Sequence, residues 1–274
     1  MNNKIGVMQG RLLPKYQGRY QAHPVGYWQD EFIVAKEVGL DCIEFIFDYN
    51  GAEDNPLIKE GGIDEIKIVV EKTGVEVKTI CADYFMKAPL HSEHIEIADS
   101  SQKLMIRLLN NAAELCVTDV VIPCVDKSTL VNQSSINLFI EKLLPVIVIA
   151  EKHGINLSLE TDLAPQLFFE LLERIHSNRV TVNYDIGNSA ALGYDSVEEL
   201  ECYGKRITDI HIKDRVLGGG PVKLGEGDAD FSVFFNKLKD FDYQGPFIMQ
   251  AYRDEEGVAV FKKQLDWIKP YLDE

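Results

Sequence analysis

The chain has 274 residues, of which 46% are hydrophobic and 26% charged, a composition typical of a globular protein with a sizeable core. Its 28 Lys and Arg residues against 44 Asp and Glu residues give a formal net charge of −16, which disfavours nucleic acids and anionic membrane surfaces as partners. Five scattered cysteines without a CxxC pair, no signal-peptide pattern and no run of 18 apolar residues predict a cytoplasmic protein without a disulfide framework or a membrane span.

Short runs rich in Val and Ile alternate with longer amphipathic stretches along the whole chain, and this alternation is typical of βαβ units. We predict eight strands, in chain order at Ile5–Met8, Cys42–Ile46, Val75–Cys81, Val120–Pro123, Asn156–Glu160, Thr181–Asp185, Thr208–Ile212 and Phe247–Gln250. Helical patterns follow these strands at Gln29–Val38, Ile63–Lys72, His94–Cys116, Ser135–Lys152, Gln166–Ile175, Val197–Tyr203, Phe231–Lys239 and Glu256–Tyr271.

Eight such units predict an α/β protein with a single (β/α)8 barrel, or TIM barrel, domain over residues 1–274. Gly39, Gly74 and Gly154 each stand between a helical pattern and a strand, where a left-handed helix cap turns the chain. A doubly wound sheet is the alternative, but the glycine-rich phosphate turn that such sheets usually carry is missing after the first predicted strand. In a barrel, the long irregular stretches after the strands form the rim of the active site.

Three successive predicted strands end in side chains that bind metals. Glu160, Asp185 and His211 lie about one βα unit apart, and strand alternation points all three into the barrel. One such residue alone is more often a helix cap or a lysine partner, but three in consecutive units favour a metal site. Two carboxylates and an imidazole suit one divalent ion, Mn²⁺, Mg²⁺, Co²⁺ or Zn²⁺. Gln250, at the end of the last strand, can add a neutral oxygen ligand.

Several short segments occur in an order that is more specific than any of them alone. They are Leu159-Glu160-Thr161, Tyr184-Asp185-Ile-Gly-Asn188, His211-Ile-Lys-Asp214, the glycine-rich stretch Gly218 to Gly227, the opening Ile5 to Arg11, and Ile43-Glu44-Phe45. Through them the chain resembles, over its whole length, the sugar phosphate isomerase/epimerase family of xylose isomerase-like TIM barrels. The resemblance implies a divalent metal held by Glu160, Asp185, His211 and the residue at position 250.

Position 250 departs from that family, in which a carboxylate ends the last strand. The resemblance implies that, in ketose epimerases of the family, the first and last carboxylates are acid/base groups on opposite faces of the substrate. The amide of Gln250 cannot take up a proton at neutral pH. A symmetric two-base epimerisation therefore does not follow from the resemblance.

Proton abstraction next to a carbonyl needs a base near the C–H bond and a cation beside the enediolate oxygens. Glu160 next to a metal offers both, which predicts a metal-dependent isomerase or epimerase that acts on a small sugar or sugar phosphate. Inversion of a carbon centre needs a second group on the other face, and Glu44, Asp83 and Cys81 are the candidates. For Glu44 the alternative is a structural salt bridge or a hydroxyl-binding group.

We predict substrate contacts from basic and polar residues near the strand ends: Gln9, Arg11, Asn188, Lys213, Arg215 and Arg253. Lys213, Arg215 and Arg253 follow the seventh and eighth strands, after which this fold often binds anions such as a phosphate, a carboxylate or an enediolate oxygen. Gln9 and Arg11, at the end of the first strand, are candidates for holding sugar hydroxyls. Lys213 shares the strand parity of His211 and is also a catalytic candidate. For Asn188 the alternative is a helix N-cap.

Other functions remain open from the sequence. A lyase or dehydratase acting on a keto-sugar or keto-glycoside uses the same base and metal, and a sugar-binding barrel without catalysis fits the amide of Gln250. An endonuclease acting at abasic DNA shares the barrel, but it needs a histidine-rich metal cluster and a basic face, and the chain has six histidines and a strongly acidic balance. The sequence does not decide the sugar or whether the chain pairs into a homo-oligomer.

Overall fold

A computed structural model of the protein describes residues 3–255 and 257–272. Eight parallel strands close into one barrel: β1 (Ile5–Met8), β2 (Cys42–Ile46), β3 (Glu76–Cys81), β4 (Asp119–Cys124), β5 (Asn156–Thr161), β6 (Val180–Asp185), β7 (Ile207–Ile212) and β8 (Phe247–Met249). Neighbouring strands pair in chain order, and β8 pairs with β1. The predicted TIM barrel is confirmed, and every predicted strand boundary lies within one residue of the observed one.

The helices form the outer layer: α1 (Gln29–Val38), α2 (Gly62–Thr73), α3 (Tyr84–Lys87), α4 (Ile95–Ala113), α5 (Gln133–His153), α6 (Pro165–Ile175), α7 (Ile186–Leu192), α8 (Ser196–Tyr203), α9 (Phe231–Leu238) and α10 (Val258–Leu272). The short helices α3 and α7 were not predicted. The helix predicted before the fourth strand ends at Cys116. The observed helix α4 ends at Ala113, and Cys116 has a left-handed φ of 57°. Glu256, the predicted start of the last helix, lies outside the described residues.

Strand alternation separates an apolar layer from a polar barrel interior. The outward side chains of the site strands join the main hydrophobic core, among them Leu157, Leu159, Val182, Tyr184, Ile210 and Ile212. Towards the amino ends of the strands, the barrel interior is polar and hydrogen-bonded. The Ser158 hydroxyl donates to Asp119 over 2.8 Å and lies 3.0 Å from the hydroxyls of Thr181 and Thr208. Burial of the apolar layer stabilises the barrel, whereas the interior polar groups need partners.

Within residues 3–255 and 257–272, one helix, α5, is long and apolar enough to cross a membrane by length and composition alone. It packs against α4 and β5 and buries an apolar stripe that includes Phe139, Leu143 and Val146. Such a stripe is what a helix in the outer layer of a barrel needs.

Two irregularities in strand pairing set the register of the polar interior. The pairing of β2 with β3 shifts by one residue between Ile43 and Glu44, so that Glu44 faces Thr79. A second shift between β6 and β7 aligns Asp185 with His211. Bulges of this kind re-aim side chains, and both lie next to the residues of the candidate site.

Candidate metal centre and active site

A cavity of about 410 Å³ opens at the carboxyl ends of the strands. Its lining includes Glu160, Asn188, Lys213, Arg215 and Gln250. A larger cavity of about 540 Å³ lies at the opposite end of the barrel, where its lining includes the loop before β8. We place the site in the smaller cavity, because Glu160 and Gln250 border it and because barrel enzymes use this end.

Glu160 borders this cavity, and Asp185 and His211, which do not line it, meet Glu160 at its floor. They come from β5, β6 and β7, all three are buried, and a ligand atom from each lies within 4.8 Å of the others. Nδ1 of His211 is 4.0 Å from Oδ2 of Asp185. The structure therefore brings together the three residues whose spacing predicted a metal site.

The donor atoms at this floor fit a divalent metal. Among the described residues, Nδ1 of His211 and Oε1 of Gln250 are buried without a hydrogen-bond partner, which is costly unless an ion or another group meets them. Gln250 borders the same cavity as Glu160. Two carboxylates, an imidazole nitrogen and an amide oxygen form a mixed set that Mn²⁺, Mg²⁺, Co²⁺ and Zn²⁺ accept.

Glu44 lies beneath this floor rather than in the cavity. Its side chain is fully buried, Oε1 is 2.8 Å from Nε2 of His211, and Oε2 accepts a 2.6 Å hydrogen bond from Thr79. A carboxylate on the far nitrogen of a metal-binding histidine fixes the orientation of the ring. This placement fits the structural interpretation of Glu44 and not a proton transfer to substrate, because the residue has no surface on the cavity.

Asn188 connects the charged groups around the cavity. Its amide donates to Oε1 of Glu160, and its carbonyl oxygen accepts from Lys213 over 3.1 Å and from Arg215 over 2.8 Å. Lys213 also contacts Oδ2 of Asp185 over 3.1 Å. Asp185, not Asn188, caps the helix α7 by accepting from the backbone of Asn188, so the N-cap interpretation of Asn188 is wrong.

The buried charges shift one another's pKa. Burial and the neighbouring Asp185 carboxylate raise the pKa of Glu160 to about 7, against the opposing attraction of His211 and Lys213. Burial alone lowers the pKa of His211, but the adjacent Glu44 carboxylate outweighs it and raises that pKa to about 9. A metal on His211 must therefore displace a proton, as metals do at histidine sites.

Two glycines explain the motifs around these residues. A Cβ on Gly187 would lie 2.8 Å from Cγ of Lys213, so only glycine lets α7 approach the lysine this closely. A Cβ on Gly227 would lie 2.2 Å from Oδ1 of Asp214. The Asp214 carboxylate accepts backbone hydrogen bonds from Gly225, Gly227 and Ala229, which fastens the loop after β7 over the cavity.

The cavity has two dissimilar sides. One side, here called the charged half, comes from the ends of β5, β6 and β7: Glu160, Asp185, Asn188, His211, Lys213 and Arg215. The other, the amide half, comes from β8 and from the segments after β1 and β3: Gln21, Asp83 and Gln250, with Arg11 behind them. Sequence patterns missed Gln21, because it lies in an irregular loop without any periodicity.

Gln21 links the members of the amide half. Its oxygen accepts from Gln250 over 3.0 Å and from Arg11 over 3.1 Å, and its amide donates to Asp83 over 3.3 Å. Asp83 also accepts from the Cys81 thiol over 3.2 Å. Burial lowers the pKa of Arg11 to about 10, and the guanidinium remains charged at neutral pH.

Gln9 and Arg253 do not border the cavity. The fully buried Gln9 accepts a 3.0 Å hydrogen bond from the backbone of Ile46 and lies 3.2 Å from the His23 ring, so it braces the barrel interior. Arg253 donates to the backbone oxygen of Arg11 over 2.8 Å and stacks over Tyr20. Their polar atoms hold the loop after β1 in place, and direct substrate contacts from these two residues stay a prediction.

Comparison with known proteins relates the chain to epimerases. The L-ribulose-5-phosphate 3-epimerase UlaE of Escherichia coli strain ATCC 8739 is 25% identical over 266 residues, which cover 91% of this chain and 92% of the relative. The structure is similar to that of the 3-keto-D-glucoside 4-epimerase YcjR from E. coli, with a TM-score of 0.75, 19% identity and coverage of 98% and 100%. The prediction of an enzyme of the isomerase class is confirmed.

A metal-bearing structure is also similar. The IOLI protein, solved with a bound zinc atom, aligns with a TM-score of 0.74 and 17% identity over 98% of this chain and 96% of that protein. The model of the family described as xylose isomerase-like TIM barrels matches residues 32–271, nearly the whole chain. This protein therefore belongs to the xylose isomerase-like TIM barrel family.

Proposed function

We propose that this protein is a divalent-metal-dependent epimerase or isomerase of a small sugar or sugar phosphate, acting by proton transfer next to a carbonyl. The observation that carries this proposal is the cluster of Glu160, Asp185 and His211 at the floor of a sugar-sized cavity. Gln250 supplies the fourth ligand position through its unpartnered oxygen. When bound there, the metal supplies Lewis-acid stabilisation of the negative charge on the substrate oxygens.

Glu160 is the proposed base. It borders the cavity, and the Asn188 amide donates to its Oε1. In the metal-free protein the pKa of Glu160 is raised to about 7, and the base of this reaction must take up and release a proton at neutral pH. Glu160 removes a proton from the carbon beside the carbonyl, and the electron pair moves onto the carbonyl oxygen as the enediolate forms.

Lys213 and Arg215 are proposed to hold the anionic oxygens of the substrate. Both border the cavity and both converge on the Asn188 oxygen, within reach of the charge that develops on the substrate. Two local cations offset the acidic balance of the chain at the one place where an anion must enter. A phosphate, a hydroxyl group and an enediolate oxygen all suit these donors.

The relatives support a sugar as the substrate class. UlaE is named for a phosphorylated ketose and YcjR for a keto-glucoside, and both names describe inversion at one carbon. We propose a small-molecule sugar substrate and a cytoplasmic location for this protein, with no nucleic-acid or membrane partner; a homo-oligomer is compatible with the fold.

The test combines metal analysis with hydrogen exchange. Protein purified without chelator is analysed for Mn, Co, Zn and Mg, then incubated in D₂O with L-ribulose 5-phosphate, D-psicose and a 3-keto-D-glucoside, with NMR detection of each substrate C–H. Near-stoichiometric metal together with deuterium incorporation supports the proposal. Metal without exchange on any sugar favours the sugar-binding barrel, and release of the aglycone from the keto-glucoside favours the lyase.

A further inference from the structure

The charged half and the amide half differ in the proton carriers that border the cavity. The amide half presents Gln21, Asp83 and Gln250 to the cavity, and Asp83 is the sole ionisable side chain among these three. An amide neither releases nor takes up a proton at neutral pH. Any proton that reaches the substrate from this side therefore passes through Asp83 or through water.

We propose that Asp83 is the second acid/base residue, which exchanges a proton with the substrate on the face opposite Glu160. This inference rests on the proposed function and names the group that makes inversion of a carbon centre feasible despite the amide at position 250. The acid then comes from the segment after β3 rather than from the end of β8. Protons are then still exchanged on both faces of the substrate, but the second acid/base residue lies after β3 instead of at the end of β8.

The hydrogen bonds place Asp83 and Glu160 in separate networks. Asp83 is held by the Gln21 amide at Oδ2 and by the Cys81 thiol at Oδ1. Glu160 is held by Asn188, which belongs to the charged half. Gln21 hydrogen-bonds to both Asp83 and Gln250. Through Gln21, Asp83 is therefore connected to position 250, where the resemblance implies a carboxylate and this chain has an amide.

The other acidic candidates are less well placed. Glu44 has no surface on the cavity and contacts His211 and Thr79. Asp162 follows β5, the strand that carries Glu160, and Asp126 follows β4, the strand between β5 and β3, so neither belongs to the amide half beside Gln250. The Cys81 thiol is buried and donates to Asp83, so it supports the acid rather than meeting the substrate.

The protonation of Asp83 is compatible with this role. Burial raises the pKa of its carboxyl above the usual range, and the nearby Asp48 and Glu44 charges act in the same direction. Gln21 and Cys81 donate to it and oppose the shift. A raised pKa increases the fraction of Asp83 that carries a proton to give.

The step balances without a further reactant. Glu160 takes the proton from the substrate carbon, the C–H pair forms the C=C bond of the enediolate, and the carbonyl oxygen gains the negative charge. Asp83 then gives its proton to the same carbon from the opposite face, the new C–H bond forms and the carbonyl is restored. Glu160 now carries the proton and Asp83 is ionised, and exchange with water through the open cavity resets both.

The experiment compares Asp83→Asn with Glu160→Gln in D₂O, on the sugar that the wild-type protein exchanges fastest. With Asp83→Asn, we expect one epimer to exchange its C–H for deuterium at a near wild-type rate while inversion falls at least about 100-fold. The other epimer, whose proton Asp83 removes, stops exchanging. Glu160→Gln should show the mirror pattern, and Asp64→Asn on the exposed face of α2 is the control.

The outcomes separate this inference from the proposed function. If the wild-type protein exchanges none of the sugars, both fall together. If it exchanges and Asp83→Asn still inverts the carbon at the wild-type rate, or loses exchange equally from both epimers with its metal retained, only the role of Asp83 is overturned. Asp83→Ser is measured in parallel, so that a folded variant without the acid is available even if the amide disturbs Gln21.

Discussion

The two halves of the cavity rim are built in different ways from the same barrel. The charged half sits on the ends of three consecutive strands, where each functional side chain has a register fixed by strand pairing. The amide half is assembled from β8 and two loop segments that meet through Gln21. Chemistry on strand ends follows from the alternation of the sequence, whereas chemistry on loops follows from tertiary hydrogen bonds.

The halves also differ in charge. The charged half combines two carboxylates, Glu160 and Asp185, with three basic side chains, His211, Lys213 and Arg215. It can therefore accommodate both a cation and an anionic substrate. The amide half is nearly neutral and keeps one acid, Asp83, next to Arg11. The first is suited to holding charge, and the second to moving a proton without competing for the metal.

The largest expected effect comes from removing a ligand in the charged half. Asp185→Ala should reduce the bound metal from near one ion per chain to a small fraction, and the proton-exchange rate should fall at least about 10³-fold, because several kcal/mol of charge stabilisation are lost. Elemental analysis and deuterium exchange measure the two effects. Asp195→Ala, which removes the N-cap of α8 away from the site, is the control and should keep its metal.

A metal content that survives Asp185→Ala would contradict this assignment of the site. The result would then point to the second buried cluster, in which Glu44 and Asp209 flank His211, as the place that holds the ion.

The next effect tests the support beneath the charged half. Glu44→Gln should weaken metal binding about 10–100-fold, because the His211 ring loses the carboxylate that orients it. Titration of the metal-free protein with Mn²⁺, followed by the electron paramagnetic resonance of the unbound ion, gives the affinity. Glu199→Gln is a matched control: this buried carboxylate accepts from Tyr184 and Tyr203, so its loss should lower stability and leave Mn²⁺ affinity unchanged.

The affinities would contradict the orienting role of Glu44 if both variants bound Mn²⁺ as tightly as the wild-type protein.

The next prediction concerns the pH dependence of Mn²⁺ affinity, whose change for each pH unit should be smaller than the effects of the two preceding substitutions. In the metal-free protein the pKa of His211 is raised to about 9, so its proton stabilises the fold below the usual value near 6.5, and that contribution is lost as the pH rises through 9. Mn²⁺ must displace this proton. Its affinity should therefore rise about tenfold per pH unit from pH 7 to 8.5, and more steeply below 7, where Glu160 is also protonated.

Competition titrations between pH 6 and 8.5 measure this slope. An affinity that stays constant above pH 7 would show that His211 carries no proton there, and the charge contact with Glu44 would need another explanation.

The sequence predicted the charged half far better than the amide half. The spacing of Glu160, Asp185 and His211 predicted that these three side chains meet, because parallel strands carry consecutive units to the same rim. Parity could not reveal that Glu44 lies under His211, since this depends on the bulge between β2 and β3. Nor could it reveal Gln21, whose position is set by its hydrogen bonds to Gln250 and Asp83 and by nothing periodic.

A similar limit applies to two of the residues that were predicted to contact the substrate. Gln9 and Arg253 stand at or just after strand ends in the sequence, which predicts a substrate contact, and in the structure the Gln9 oxygen and the Arg253 guanidinium make hydrogen bonds within the protein. The distinction depends on which neighbours fold onto them. A strand end predicts where a side chain is and does not predict what it binds.

The smallest effect, and the one that most directly sharpens the comparison, comes from making the amide half resemble the charged half. Gln250→Glu adds a carboxylate beside the ligands, and most of its attraction for the metal is offset by the cost of burying the charge. We expect a net gain of about 1 kcal/mol, or about fivefold in Mn²⁺ affinity. In the Asp83→Asn background the same change should restore inversion, because the rim again carries a second carboxylate opposite Glu160. If affinity falls instead, Gln250 is selected as a neutral ligand and the amide half is kept neutral for the metal; if affinity rises without restoring inversion, the two halves divide their tasks and proton delivery belongs to the position of Asp83.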